Sequence, residues 1–322
     1  METGKIVLIF LILQILILPL SIWHDISADY TVPQDVHFFV RRNHLSNEFI
    51  GRRGILMKRP YASATILLLH GYGVDKYTMS PLRILLKNYN CFAFDFRAHG
   101  ESAPDQESTL GYDEVNDIFG AVDYIRSDPE LKDKPLIVIG FSMGAVSAIE
   151  AQSLDPNLFT AMFLDTPFAS SLDVVRRGIQ NIKFDFFGYK FLLPGSSLLE
   201  SYAFNPYVQP FLQMILRLKT SLNAFQINTF VKATSPSESI KKVQIPCFFV
   251  VTKNDGKVPA SQVKAVYEND PSLYKRLWIA NGRDHCDAIL YNPEKYEQVV
   301  NKFISDVLNH ETDYGSSEII YD

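Results

Sequence analysis

Short apolar runs recur along the chain, separated by polar stretches rich in turn residues. They fall at Val36–Val40, Ile55–Met57, Thr65–Leu69, Cys91–Phe94, Leu136–Ile139, Ala161–Leu164, Cys247–Val251 and Arg276–Ile279. Most of these runs do not alternate apolar with polar residues, which suits strands covered on both faces. Segments with helical spacing lie between them. Tyr112–Arg126 follows Thr109 and Gly111, and Glu294–Leu308 lines up Tyr296, Val299, Val300, Phe303 and Val307 along one face. This alternation predicts an α/β fold, a mostly parallel sheet with helices on both faces.

Three segments depart from the rhythm. Between about 168 and 235 no strand is evident, and aromatics and leucines crowd FDFFGYKFLLPG (184–195) and Phe211–Leu218. Long insertions are often lids or binding elements, so 168–235 is read as a helical cap lining an apolar acyl or aromatic pocket; plain core is the alternative. The tail 311–322 (ETDYGSSEIIYD) is polar and expected to lack regular structure. At the other end, Ile6–Trp23 (IVLIFLILQILILPLSIW) carries no charged residue.

Roughly 18–20 apolar residues span a bilayer as a helix, whereas signal-peptide cores usually run to about 7–15. Residues 6–23 are therefore read as an uncleaved membrane anchor, with a signal cleaved near Ile26-Ser27-Ala28 as the alternative. Lys5 precedes the segment and Asp25 and Asp29 follow it, which favours placing the rest of the chain on the non-cytoplasmic side. Arg41 and Arg42 weaken that bias. The organisation expected is an anchor or signal over 1–28, an α/β domain over 29–310 and the tail.

Composition excludes some classes. Hydrophobic residues make up 47% and charged residues 21% of 322, an ordinary globular balance, and the net charge of −5 offers no basic face for nucleic acid. Three cysteines, Cys91, Cys247 and Cys286, make an odd number, and the first two sit in apolar runs, which argues against a disulfide framework. No phosphate-cradling G-x-x-x-x-G-K-[ST] or G-x-G-x-x-G loop is present, so no cofactor is expected. His285 and Cys286 have too few neighbouring ligands in the sequence for a zinc site.

The chemistry is concentrated in a strand that runs into G-x-S-x-G, at Gly140, Ser142 and Gly144, and then into a helix. A serine hydroxyl is a weak nucleophile that must be exposed on a sharp strand-to-helix turn, where its neighbours must be small. The helix beginning near Met143 points backbone N–H groups at developing negative charge. Upstream, Thr65–Leu69 leads into His70-Gly71-Tyr72-Gly73. The backbone N–H groups of Tyr72 and Met143 are the two oxyanion-hole candidates, and His70 is read as a loop brace.

For this architecture the chain order is serine, acid, histidine. His285 lies in a loop after a strand, whereas His310 lies in the polar tail, so His285 is the candidate base. Asp255, after the strand Cys247–Val251, is the preferred acid. Asp165, at the end of Ala161–Leu164, competes with it, and Asn254 and Asp284 could reach the histidine only by less usual geometry.

These pieces resemble the α/β-hydrolase superfamily, and more narrowly its monoacylglycerol-lipase-like and serine-aminopeptidase-like members, including membrane-anchored ones. The matching segments are LLLHGYG (67–73), DFRAHGES (95–102), VIGFSMGA (138–145), IPCFFVVTKNDGKVP (245–259) and GRDHCDAILYNPEKY (282–296). They stand in family order over about Thr65–Leu308. The resemblance implies an α/β-hydrolase fold with a cap, a triad of Ser142, Asp255 and His285, and an oxyanion hole at Tyr72 and Met143. The apolar insertion and the hydrophobic 6–23 segment favour cleavage of a small-molecule or lipid ester. Amidase or aminopeptidase chemistry is the rival, and a non-catalytic binding protein a further one. Ala98 stands where the family's D-x-R-G-x-G-x-S turn has its first glycine, which puts the shape of that turn in question.

Overall fold

The computed structural model describes residues 32–43, 46–102, 106–180, 183–186, 189–192, 205, 207–210 and 227–322. Each predicted apolar run becomes a strand: β1 Gln34–Arg41, β2 Phe49–Met57, β3 Thr65–Leu69, β4 Asn90–Phe94, β5 Leu136–Phe141, β6 Ala161–Asp165, β9 Cys247–Thr252 and β10 Tyr274–Ala280. With β11 (Ser316–Tyr321) they form one nine-stranded sheet in the order β1-β2-β4-β3-β5-β6-β9-β10-β11. β2 is antiparallel to both neighbours, and the other pairings are parallel.

The unalternating runs are explained by burial on both faces. In β9, Cys247, Phe249 and Val251 enter one core layer while Phe248 and Val250 enter the other. Helices α2 (Glu114–Ser127), α3 (Met143–Leu154) and α6 (Ala260–Asn269) cover the first face through Ile118, Val146 and Val263. Helices α1 (Ser80–Leu85), α7 (Ala288–Tyr291) and α8 (Pro293–Leu308) cover the second through Leu82, Ala288, Val300 and Phe303. By contrast β1, an antiparallel edge strand, alternates exposed with buried residues. From Gln34 to Asp322 the chain forms one compact unit.

The parallel register brings several strand ends to one edge. Leu69 pairs with Gly140, Phe141 with Asp165, Asp165 with Val250 and Thr252 with Ala280. The loops leaving this edge hold His70, Ser142, Asp255 and His285. This is the edge at which open α/β sheets receive ligands.

Two expectations are corrected. The tail is not irregular: Ser316–Tyr321 is a parallel edge strand on β10. An edge strand draws its hydrogen bonds from one neighbour and needs few apolar residues, and here Ile319 packs toward one core layer and Ile320 toward the other. The insertion is not wholly helical either. It opens with α4 (Ser171–Gln180), followed by an antiparallel pair, β7 (Lys183–Phe186) and β8 (Tyr189–Leu192); the short α5 (Pro236–Ser239) comes directly after it. Four-residue strands are too short for their periodicity to be read in an aromatic-rich stretch. Phe211–Leu218 and the segment 6–23 lie outside the described residues, among which no helix is long and apolar enough to cross a membrane.

Candidate active site

Ser142 sits between β5 and α3 with φ 50° and ψ −112°. A non-glycine residue held there costs on the order of 1–3 kcal/mol and persists only where its surroundings impose it. Those surroundings are tight. The Ser142 N–H donates to the Asp165 carbonyl at 2.8 Å. A Cβ at Gly140 would lie 2.7 Å from the Ala145 nitrogen, and one at Gly144 would lie 2.5 Å from the Leu69 carbonyl oxygen. Both glycines are needed for close backbone approach.

His285 Nε2 stands 2.8 Å from Ser142 Oγ, and its Nδ1 stands 2.7 Å from Asp255 Oδ2. An ionised carboxylate can only accept, so Nδ1–H donates to Asp255 and Nε2 is left to accept from the serine hydroxyl. The Asp255 side chain is fully buried and His285 is 14% exposed. Asp255 Oδ1 accepts from the Lys257 and Val258 amides, both at 2.8 Å, which fixes the carboxylate plane.

The histidine loop is held at several points. Asp287 Oδ2 accepts from the Arg283 and Asp284 amides at 2.8 and 3.0 Å, and Asp284 Oδ1 accepts from the His285 amide at 2.8 Å. Thr252 Oγ1 donates to the Asp284 carbonyl and Asn254 Nδ2 to the Gly282 carbonyl, joining the Asp255 loop to the His285 loop. Asn254 and Asp284 are thus loop ties. Sequence reasoning missed Asp287, because it accepts from amides three and four residues earlier, whereas turn signals read an aspartate against the residues that follow it.

Asp165, the competing acid, is turned elsewhere. Its carboxylate is buried and accepts from the hydroxyls of Tyr296 at 3.0 Å and Thr166 at 2.8 Å. Burial raises its pKa to about 6 against those hydrogen bonds. Cys286, beside His285, has φ 57°, and burial pushes its thiol well up, reinforced by the nearby Asp165 charge. That is the opposite of an activated thiolate.

The glycine loop is braced by two buried histidines. His70 Nδ1 donates to the Gly71 carbonyl at 2.7 Å while its Nε2 accepts from the Phe96 amide at 3.1 Å. Burial, with the neighbouring His99, depresses its pKa to about 3, so it is a neutral brace. His99 donates to the Arg97 carbonyl and accepts from the Gly73 amide. The loop is thereby pressed onto the serine: a Cβ at Gly71 would be 3.5 Å from Ser142 Cβ. Tyr72 follows directly, and Met143 opens α3, where an amide has no intrahelical acceptor. The Tyr72 hydroxyl contacts Thr229 Oγ1 at 2.6 Å, on the leg of the insertion that returns past Ser108. A cavity of about 470 Å³ lies alongside, lined among the described residues by Gly73, Asp75, His99, Ile227 and Asn228.

The DFRAHGES turn supports this loop through buried charge. Asp95 accepts from the Lys76 amide and ammonium, and Arg97 makes paired bonds to Asp117, which also accepts from Arg52. Ala98 keeps the turn by adopting φ 60° itself. At Gly100 no such accommodation exists, because a Cβ there would lie 2.3 Å from the Asp95 carboxylate.

A strained serine on a strand-to-helix turn at the carboxyl edge of such a sheet is a geometry that points to one class of fold, and the chain's relatives fall in that class. The chain belongs to the alpha/beta hydrolase family, whose model matches residues 66–299. It is similar to the protein YqkD of Bacillus subtilis, 24% identical over 253 residues, 77% of this chain and 73% of that one. It is also similar to YfhR of Escherichia coli O157:H7, 28% identical over 260 residues, covering 77% and 72%. Among solved structures, the esterase Pf2001 of Pyrococcus furiosus superposes with a TM-score of 0.64 at 24% identity, covering 86% of this chain and 93% of that one.

Proposed function

We propose that the protein is a serine hydrolase that cleaves a carboxylic ester through an acyl-enzyme on Ser142. The observation that carries this reading is the hydrogen-bonded line from Ser142 Oγ through His285 to the buried Asp255. Ser142 Oγ adds to the ester carbonyl carbon as its proton passes to His285 Nε2, and Asp255 stabilises the resulting imidazolium. The backbone N–H groups of Tyr72 and Met143 receive the oxyanion. Collapse breaks the bond to the alkoxy oxygen, which takes the proton from His285 and leaves as an alcohol. Water, deprotonated by the same nitrogen, then releases the acid and restores Ser142.

The preference for an acyl-chain ester, as in monoacylglycerol-lipase-like relatives, rests on the apolar insertion and the hydrophobic 6–23 segment. The esterase described for Pyrococcus furiosus shares the fold. A fluorophosphonate probe should label the wild type and not Ser142→Ala. A panel of p-nitrophenyl esters, monoacylglycerols and aminoacyl-amides should show esters preferred; preference for the amides would move the reading to an amidase. Anchoring belongs to the same proposal. Full-length protein should stay in the membrane fraction after carbonate extraction, with its catalytic domain on the non-cytoplasmic side. A soluble, N-terminally intact product would defeat the anchor.

A further inference from the structure

The edge strand β11 ends against the two loops that carry the acid and the base. Its parallel pairing with β10, from Tyr274 opposite Ser316 to Ile279 opposite Tyr321, delivers Asp322 to the carboxyl edge of the sheet. There Asp322 Oδ1 accepts from the indole Nε1 of Trp278 at 3.0 Å, and Oδ2 accepts from the Asn281 amide at 3.1 Å. The Asp322 backbone carbonyl accepts from Lys253 Nζ at 2.5 Å, and the same ammonium donates to Asn281 Oδ1 at 2.9 Å. Asn281 begins the loop that ends in His285, and Lys253 shortly precedes Asp255.

We infer that Asp322 is a positioning residue, clamping the shoulders of the acid and base loops so that Asp255 and His285 stay aligned on Ser142. The inference rests on the serine-hydrolase reading. The base loop and the acid loop are already joined by Thr252 and Asn254, so they can move as one body. Asp322 ties that body to the sheet edge at both of its roots. Trp278 is fully buried, and a buried indole N–H requires an acceptor. β11 is anchored independently, because Arg276 and Glu318 pair at 3.3 Å on the same two strands. A one-residue slip of β11 would carry Asp322 about 3.3 Å along the sheet, out of reach of both donors.

The test uses the full chain and a p-nitrophenyl ester, with kcat, KM, thermal midpoint and fluorophosphonate labelling measured for each variant. Asp322→Ala should lower kcat roughly tenfold while KM stays within about twofold, since sub-ångström misplacement of catalytic groups acts mainly on the chemical step. Asp322→Asn, which keeps an acceptor for Trp278, should recover part of the loss. Glu318→Gln removes the strand's ion pair without touching either loop and should leave kcat unchanged. Wild-type kcat in Asp322→Ala would overturn the inference. So would equal losses in Asp322→Ala and Glu318→Gln, because the strand would then be serving stability alone. A wild type that takes no label sinks the hydrolase reading itself, and the inference with it.

Discussion

Tyr296 donates its hydroxyl to Asp165 Oδ2 over 3.0 Å, so a tyrosine of α8 caps a buried carboxyl at the end of β6. That carboxyl was one of two candidates for the acid of the triad, and its partners make its behaviour testable. Burial raises its pKa from 3.8 to about 6. A group whose native pKa is raised binds more protons folded than unfolded between those values. Its contribution to stability therefore declines as pH rises from about 4 to about 6 and is level above. Asp165→Asn should remove this decline, gaining up to roughly 3 kcal/mol above pH 6 relative to wild type, from about 1.4 kcal/mol per pKa unit. Thermal midpoints across pH 4–8 check it; parallel curves for the two proteins would refute it.

Removing the acid should cost far more activity than removing its rival. Asp255→Asn leaves the shape of the site but no longer holds the Nδ1–H tautomer, and a fall of about 10⁴ in kcat is expected. Asp165→Asn should retain most of kcat. Steady-state rates for the two variants decide, and the reverse order would transfer the acid's role to Asp165.

Gly144→Ala should damage the elbow without unfolding the protein. Its new methyl meets the Leu69 and His70 carbonyl oxygens at 2.5 and 2.7 Å, both backbone atoms that cannot rotate away. Overpacking of this kind costs about 1–3 kcal/mol, and the shift falls on Ser142. Fluorophosphonate labelling should drop by up to about a hundredfold, the scale of an ångström-sized misplacement. Normal labelling would show that the turn has slack.

Asp117 should be among the most sensitive positions for stability. Its carboxylate is fully buried between Arg52 and Arg97, whose charges hold its pKa down against burial. Asp117→Ala strips Arg52 of its ion-pair partner and leaves Arg97 only Asp113 at 3.8 Å, and a loss of roughly 3–5 kcal/mol is expected. Urea denaturation measures it; a loss under about 1 kcal/mol would mean that water or Asp113 takes over.

Much of this molecule is local and therefore legible in the chain. The strands β3, β5, β6 and β9 are buried on both faces, so their residues are continuously apolar and their positions stand out. The elbow is equally local, since Gly140 and Gly144 are dictated by contacts of their own turn. The order of Ser142, Asp255 and His285 along the chain follows from which strand ends precede them.

What the tertiary structure decided is what depends on register between distant strands. Asp165 and Asp255 both follow buried apolar runs, and nothing in either run says which carboxylate meets an imidazole. Packing settles it: Tyr296 and Thr166 occupy the oxygens of Asp165, while Asp255 Oδ2 faces Nδ1 of His285. The tail read as irregular because an edge strand draws its stability from backbone pairing with β10, and pairing leaves almost no trace in side-chain pattern. For the same reason the sequence held no sign that Asp322 would reach Trp278 and Asn281: that contact exists only once the register of β11 on β10 is set.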